Sequence, residues 1–267
     1  MNITKLIKEY KDLKIEESFN YEEFNKILIT SHSTRIEGST LSFEEASELI
    51  QTGNTPGGKP INFSLLTLDH YDALNFVLAE AKKKRPISIE FLKEIASKVM
   101  KNTGEIYQNA LGITDVSKGD FRKTSVRAGS TTFMSFQKIE SAMNSLVEEI
   151  NSQLPKLKNI ESQLLLSFYA HYKMVDIHPF LDGNGRTSRL LMNFIQRSYD
   201  LPLGIVFSEN KPAYYQALNS VKETESFEAY DDFMFQQYRK HLIIEIEKEK
   251  KVRQEKDDDI QPRYRKK

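Results

Sequence analysis

The stretch His178-Pro179-Phe180-Leu181-Asp182-Gly183-Asn184-Gly185-Arg186-Thr187-Ser188-Arg189, followed at once by Leu190-Leu191-Met192-Asn193-Phe194-Ile195, decides how the rest of the chain is read. It sets one imidazole, one carboxylate, a glycine-flanked asparagine and two guanidiniums within twelve residues. Asp-Gly-Asn-Gly is turn-forming chemistry that breaks one helix and opens another, leaving free backbone N–H groups at the new start. A helix start of this kind attracts anions. Arg186 and Arg189 are three apart and share a face, and helical side chains lean back toward the N-terminus where those N–H groups point. Two guanidinium forks and an amide nest match the oxygens of a phosphate. Asp182 would repel a bare phosphate, so its presence implies a bridging hard cation, and an oxygen ligand beside phosphates suggests magnesium. His178 is then the group able to accept a proton near neutral pH. The stretch reads as a site for phosphate transfer.

The string matches in full the pattern His-Pro-Phe-x-Asp-Gly-Asn-Gly-Arg-x-x-Arg and resembles the signature of the Fic (Fido) family, most members of which transfer AMP from ATP to protein hydroxyls. Nine fixed residues stand in register, which makes the motif a specific one. The resemblance implies a mainly helical, all-α Fic fold with a small β-hairpin flap. It assigns the catalytic base to His178, the phosphate cradle to Gly183, Asn184, Gly185, Arg186 and Arg189, and the Mg²⁺ ligand to Asp182. Among the rival readings, a metal-dependent hydrolase on His171, His178 and Asp182 leaves both arginines and the asparagine without a task. A calcium loop from Asp182 fails, because Arg186 and Asn193 fall where oxygen-rich ligands are required. Within the family, removal of AMP or transfer of another phosphate-containing group remains the alternative direction of the reaction, and a non-catalytic nucleotide-binding module a further reading.

Upstream, the segment from Tyr21 to Arg35 puts Phe24, Ile27 and Leu28 on one helical stripe and ends in Ser33-Thr34-Arg35-Ile36-Glu37-Gly38. Gly38 suits a helix C-cap. Beside that structural reading, Ser33-x-x-x-Glu37-Gly38 resembles the inhibitory segment that some Fic proteins carry ahead of the core. In those relatives the glutamate pairs with the second motif arginine, here Arg189, and prevents productive seating of the ATP γ-phosphate. Ser33 and Glu37 are therefore expected to form a brake. A carboxylate and a guanidinium about 4 Å apart attract by roughly 4 kcal/mol at an effective dielectric near 20, before desolvation is subtracted.

With 267 residues the chain is long enough for one large domain or a domain with an appendage. It carries 38 basic and 38 acidic residues and no cysteine. Zero net charge gives no general affinity for nucleic acid or anionic membrane, and without cysteine there is neither a disulfide framework nor a thiolate metal site. No apolar run approaches a membrane span and the first residues lack a signal-peptide core, so a cytoplasmic protein is the expectation. The expected organisation is an N-terminal helical region over 1–85 containing the inhibitory helix 21–37, a Fic core over 86–245, and a charged tail over 246–267.

Helical spacing dominates the remainder. Ser42-x-x-Glu45 is a capping box that opens a helix from about Phe43. Gly53-x-x-x-x-Gly58-Lys59 imitates a Walker loop, but Pro60 replaces the magnesium-binding hydroxyl residue and the loop follows a helix, so a connector is the reading. Helices are also predicted over 64–82, from Ser88, over 139–150, 160–175, from Lys211, and from about Phe227 to Val252. Gly119-Asp120-Phe121-Arg122 and Val126–Phe133 hold the best strand signals. By resemblance they form the flap, with Ala128, Gly129, Ser130 and Thr131 beside the nucleotide and the edge near 126–133 docking the target protein by strand addition. Tyr214 and Tyr215 resemble the segment lining the adenine side. Where relatives commonly offer an asparagine one helix turn beyond that pair, Lys222 is read in its place. Relatives with such a brake often dimerise, which makes a homodimer an expectation of the resemblance alone.

Overall fold

The computed structural model describes residues 2–18, 20–128 and 131–260. Among them are ten α-helices and two short antiparallel hairpins, in keeping with the mainly helical class the sequence predicts. The helices are α1 (Ile3–Asp12), α2 (Tyr21–Ile36), α3 (Phe43–Thr52), α4 (Ile61–Lys82), α5 (Ile89–Val99), α6 (Ile139–Gln153), α7 (Ile160–Ile177), α8 (Asn184–Ser198), α9 (Lys211–Thr224) and α10 (Glu228–Ile260). The strands are β1 (Ile106–Asn109) with β2 (Gly112–Asp115), and β3 (Arg127–Ala128) with β4 (Thr131–Thr132).

The motif helix α8 lies at the centre. It packs against α7, α4, α5 and α2, and every residue from Arg186 to Gln196 is buried. Helix α7 divides the interior in two. Leu166, Ala170, Met174 and Ile177 face a core shared with α4, α5, α6 and α8, while Leu164, Phe168 and Tyr172 face a second core built with α1, α9 and α10. A helix apolar on two faces has to be enclosed, which is why α7 can deliver the motif to the middle of the molecule.

Local signals behave as their chemistry dictates. Ser42 and Glu45 form the reciprocal capping box of α3. Gly38 follows α2 with φ +102°, in the left-handed region that lets the chain leave the helix directly behind Glu37. Helix α10 runs through the start of the stretch expected as a charged tail and on to Ile260, and it packs along α1, where Lys250 and Glu9 form an ion pair at 2.5 Å. Among the described residues no helix is long and apolar enough to cross a membrane.

Candidate active site

Helix α7 ends at His178, whose backbone turns left-handed (φ 52°, ψ 60°), and Gly183 repeats that conformation (φ 79°) as the N-cap of α8. The four-residue link between them, Pro179 to Asp182, is braced from inside by Asn184. Its amide donates to the Phe180 carbonyl at 2.9 Å, and its carbonyl accepts the Phe180 N–H at 3.0 Å. The Asn184 side chain is thus committed to the loop, and what α8 presents outward is its first turn of backbone N–H groups, which have no intrahelical partner.

Arg189 and Glu37 meet at the cavity floor. Arg189 donates to Glu37 Oε1 at 2.6 Å, to Ser33 Oγ at 2.8 Å and to the Ser33 carbonyl at 3.0 Å. The expected pairing of these residues across the chain is thereby formed. Burial alone would raise the Glu37 carboxyl, but the Arg189 charge overrides it and holds the group below the usual carboxylate range. Burial works against the Arg189 charge as well, and Glu37 outweighs it, leaving that guanidinium more firmly protonated. The Glu37 side chain still exposes 26% of its surface.

An open cavity of about 460 Å³ stands above this pair. His178, Gly185, Arg189, Tyr214, Tyr215 and Glu37 share its wall, so the imidazole, the start of α8, the Glu37-paired arginine and the tyrosine pair face one space. Arg186 is turned aside. It donates to the Val99 carbonyl at 3.3 Å and contacts Met100 Sδ at 3.0 Å, while Asp182 approaches it at 3.5 Å with 66% of the Asp182 side chain exposed. The two motif arginines therefore have different neighbours: one faces the cavity, the other packs under the loop.

His178 is covered on one face. The Phe133 ring, just beyond β4, stacks on it with centroids 3.8 Å apart and planes 18° from parallel. Burial pushes the His178 pKa down to about 4, and its Nδ1 lacks a well-formed hydrogen bond. Lys222 lies 5.1 Å from the Phe133 ring and pairs with Asp176 at 3.0 Å. Lys222 thus belongs to the cavity mouth. Asn219, four residues after Tyr215, lines the same cavity as Lys222.

Arg122 was visible in the sequence only as the last letter of a Gly-x-aromatic-Arg segment. It is 2% exposed and donates to three carbonyls, those of His178, Thr124 and Met134, each at 2.7 Å. It thereby ties the left-handed His178 to both stems of the β3–β4 hairpin. Backbone acceptors have no sequence signature, so this clamp could not have been read beforehand. Of the flap positions expected beside nucleotide, Gly129 and Ser130 lie outside the described residues, and for Ala128 and Thr131 only their backbone pairing is described.

A single carboxylate fits a magnesium ion that keeps its waters and takes its other ligands from phosphate. Asp182 is the exposed candidate, and no group of three or more His, Asp or Glu able to hold a metal occurs among the described residues.

Residues 86–196 match the model of the Fic/DOC family. The protein adenylyltransferase Fic of Drosophila grimshawi is 32% identical over 200 residues, covering 72% of this chain and 37% of that protein. The chain thus spans little more than a third of the curated relatives it matches. Among solved structures, a Fic domain-containing signalling protein from Bacteroides thetaiotaomicron superposes with a TM-score of 0.80 at 24% identity, covering 94% of this chain and 98% of that one. Fic-1 from Caenorhabditis elegans superposes with a TM-score of 0.75 at 23% identity, covering 93% and 73%. At those identities the solved structures speak to the fold, and the matched sequence with its complete motif speaks to the family: residues 86–196 form a Fic/DOC family domain.

Proposed function

We propose that this chain is a protein adenylyltransferase held at rest by Glu37. The observation that carries the reading is that His178, the start of α8 and the Glu37–Arg189 pair open onto one cavity. In the reaction, ATP lies with its α-phosphate at the start of α8, where the backbone N–H groups of Gly183, Asn184 and Gly185 offer donors. Asp182 would hold Mg²⁺, which when bound neutralises phosphate charge. Arg186, packed beneath the loop beside Asp182, supplies positive charge under the β-phosphate, and Arg189 serves the γ-phosphate once Glu37 leaves it. Tyr215 and Asn219 line the side left for adenine. A serine, threonine or tyrosine hydroxyl of the target, presented along the β3–β4 edge by strand addition, gives its proton to neutral His178. Its oxygen bonds to the α-phosphorus, the bond to the β-phosphate oxygen breaks, and pyrophosphate leaves.

Because the Glu37 carboxylate faces the same cavity as His178, a second reading is removal of AMP, with Glu37 orienting the attacking water. One experiment separates these. Wild type and Glu37→Gly are incubated with ATP and Mg²⁺ and analysed by mass spectrometry for added AMP on the chain and on lysate proteins, and both are then given an AMP-modified protein. Addition that rises in the variant supports transfer. Removal that is lost in the variant supports the second reading, and neither change sinks both.

A further inference from the structure

Close to Arg189 runs a buried line of hydrogen bonds that joins three helices. The Tyr214 hydroxyl of α9 meets His171 Nε2 of α7 at 2.9 Å, His171 Nδ1 meets the Tyr230 hydroxyl of α10 at 2.7 Å, and Tyr230 donates to the Phe168 carbonyl at 2.9 Å. Tyr214 is 1% exposed, and His171 and Tyr230 are wholly buried. Tyr214 and Arg189 line the same cavity, and the guanidinium charge acts on the Tyr214 hydroxyl, while the hydrogen bonds of Arg189 go to Ser33 and Glu37.

The far end of this line fixes its direction. A carbonyl can only accept, so the single Tyr230 O–H proton goes to Phe168. Towards His171 the Tyr230 oxygen must then accept, which places the imidazole proton on Nδ1. Burial pushes the His171 pKa down to about 3, so the ring stays neutral and its Nε2 is a bare acceptor. Tyr214 must therefore donate to Nε2, and its remaining lone pairs are left to face Arg189, a group that can only donate. The opposite tautomer would turn the Tyr214 proton toward the guanidinium, setting donor against donor.

We infer that His171 and Tyr230 are positioning residues for Arg189: they orient the Tyr214 hydroxyl as an acceptor that holds the guanidinium at the cavity wall, ready for the γ-phosphate when Glu37 withdraws. The γ-phosphate part of this statement rests on the adenylyl-transfer reading; the direction of the hydrogen bonds does not. Glu37 and Ser33 grip the arginine from α2, and this line offers it an acceptor from α9, so release of the brake need not set the side chain free.

The test uses Tyr230→Phe, which removes one oxygen and keeps the ring. In the ¹⁵N-histidine-labelled full chain, which has five histidines, long-range ¹H–¹⁵N spectra report which nitrogen of each ring is protonated. His171 is expected with a protonated Nδ1 and a bare Nε2, and Tyr230→Phe is expected to shift that population toward Nε2–H. Calorimetry in the Glu37→Gly background then compares ATP with ADP, which lacks the γ-phosphate. Tyr230→Phe is expected to weaken ATP by about three- to tenfold, the range of one hydrogen bond, and to leave ADP within twofold. The loss should not add to that of Tyr214→Phe, since both remove the same acceptor. A His171 protonated on Nε2 in the unsubstituted chain overturns the proposal, as does equal weakening of ATP and ADP or additive losses. If Glu37→Gly binds neither nucleotide, the transfer reading falls, and the ring-nitrogen spectra alone decide the direction of the line.

Discussion

Gly185 makes room for Glu37. A Cβ at position 185 would stand 2.4 Å from Glu37 Oε1 and 3.2 Å from an Arg189 guanidinium nitrogen, so the carboxylate rests against the first turn of α8 only because that residue has no side chain. Gly185→Ala is accordingly expected to push Glu37 off Arg189 and to cost about 1–3 kcal/mol of stability through overpacking. Chemical denaturation measures the second effect. Glu37→Gly removes the same contact without crowding and is expected to raise self-modification from labelled ATP by at least about tenfold, the equivalent of one charged hydrogen bond. Unchanged labelling would assign Glu37 a structural task only.

His178→Ala is expected to abolish AMP transfer while ATP affinity stays within about twofold, since the imidazole is assigned the proton and no phosphate contact. Single-turnover assays and calorimetry on the same sample provide the comparison. Transfer persisting at more than a few per cent of the parent rate would take the proton to another group.

The acidic limb of the rate profile carries the signature of Phe133. A base works only when unprotonated, and burial beneath the Phe133 ring keeps His178 neutral down to a pKa of about 4. Rates in the released Glu37→Gly form are therefore expected to hold as pH falls through 6 and to drop only near 4. Phe133→Ala rehydrates the ring, so the limb should move up toward the ordinary value of about 6.5. A limb that does not move would mean that the stacking leaves the base unaltered during turnover.

Arg122 gathers three carbonyls and, among the described residues, forms no ion pair with a carboxylate. Arg122→Met leaves those acceptors unpaired in the interior and is expected to cost about 3 kcal/mol or more. Arg122→Lys keeps the charge but not the fork, and should fold while losing kcat more than the KM for ATP, because the left-handed His178 and the hairpin stems lose their common anchor. Equal losses in the two constants would indicate general loosening of the site.

Much of this arrangement was legible beforehand because apolar spacing and caps are local. The bounds of α3, α5 and α7 fall within a few residues of those set by the Ser42–Glu45 box and by the stripes ending at Val99 and Val175. The Glu37–Arg189 pair was legible only through resemblance, since nothing in 152 residues of separation announces a contact. What escaped was of two kinds. The β1–β2 hairpin is short, and Ile106, Tyr107, Leu111 and Ile113 remain exposed, so it lacks the alternation that marks a half-buried strand. The work of Arg122 and His171 escaped because their partners are backbone carbonyls and hydroxyls from distant helices. The structure commits both ring nitrogens of His171 to tyrosine hydroxyls.

Helix α8 is gripped by neighbours on every flank, and this restricts where the molecule can be tuned. A rod immobilised along its whole length cannot slide or tilt to suit a different nucleotide or to answer a signal. Adjustment is left to the parts that border the opening: the tail of α2, the short hairpin with Phe133, and the outward face of α9. Under the proposed function, control would therefore belong to the rim, where a small displacement would admit or refuse a triphosphate while the hub stays fixed.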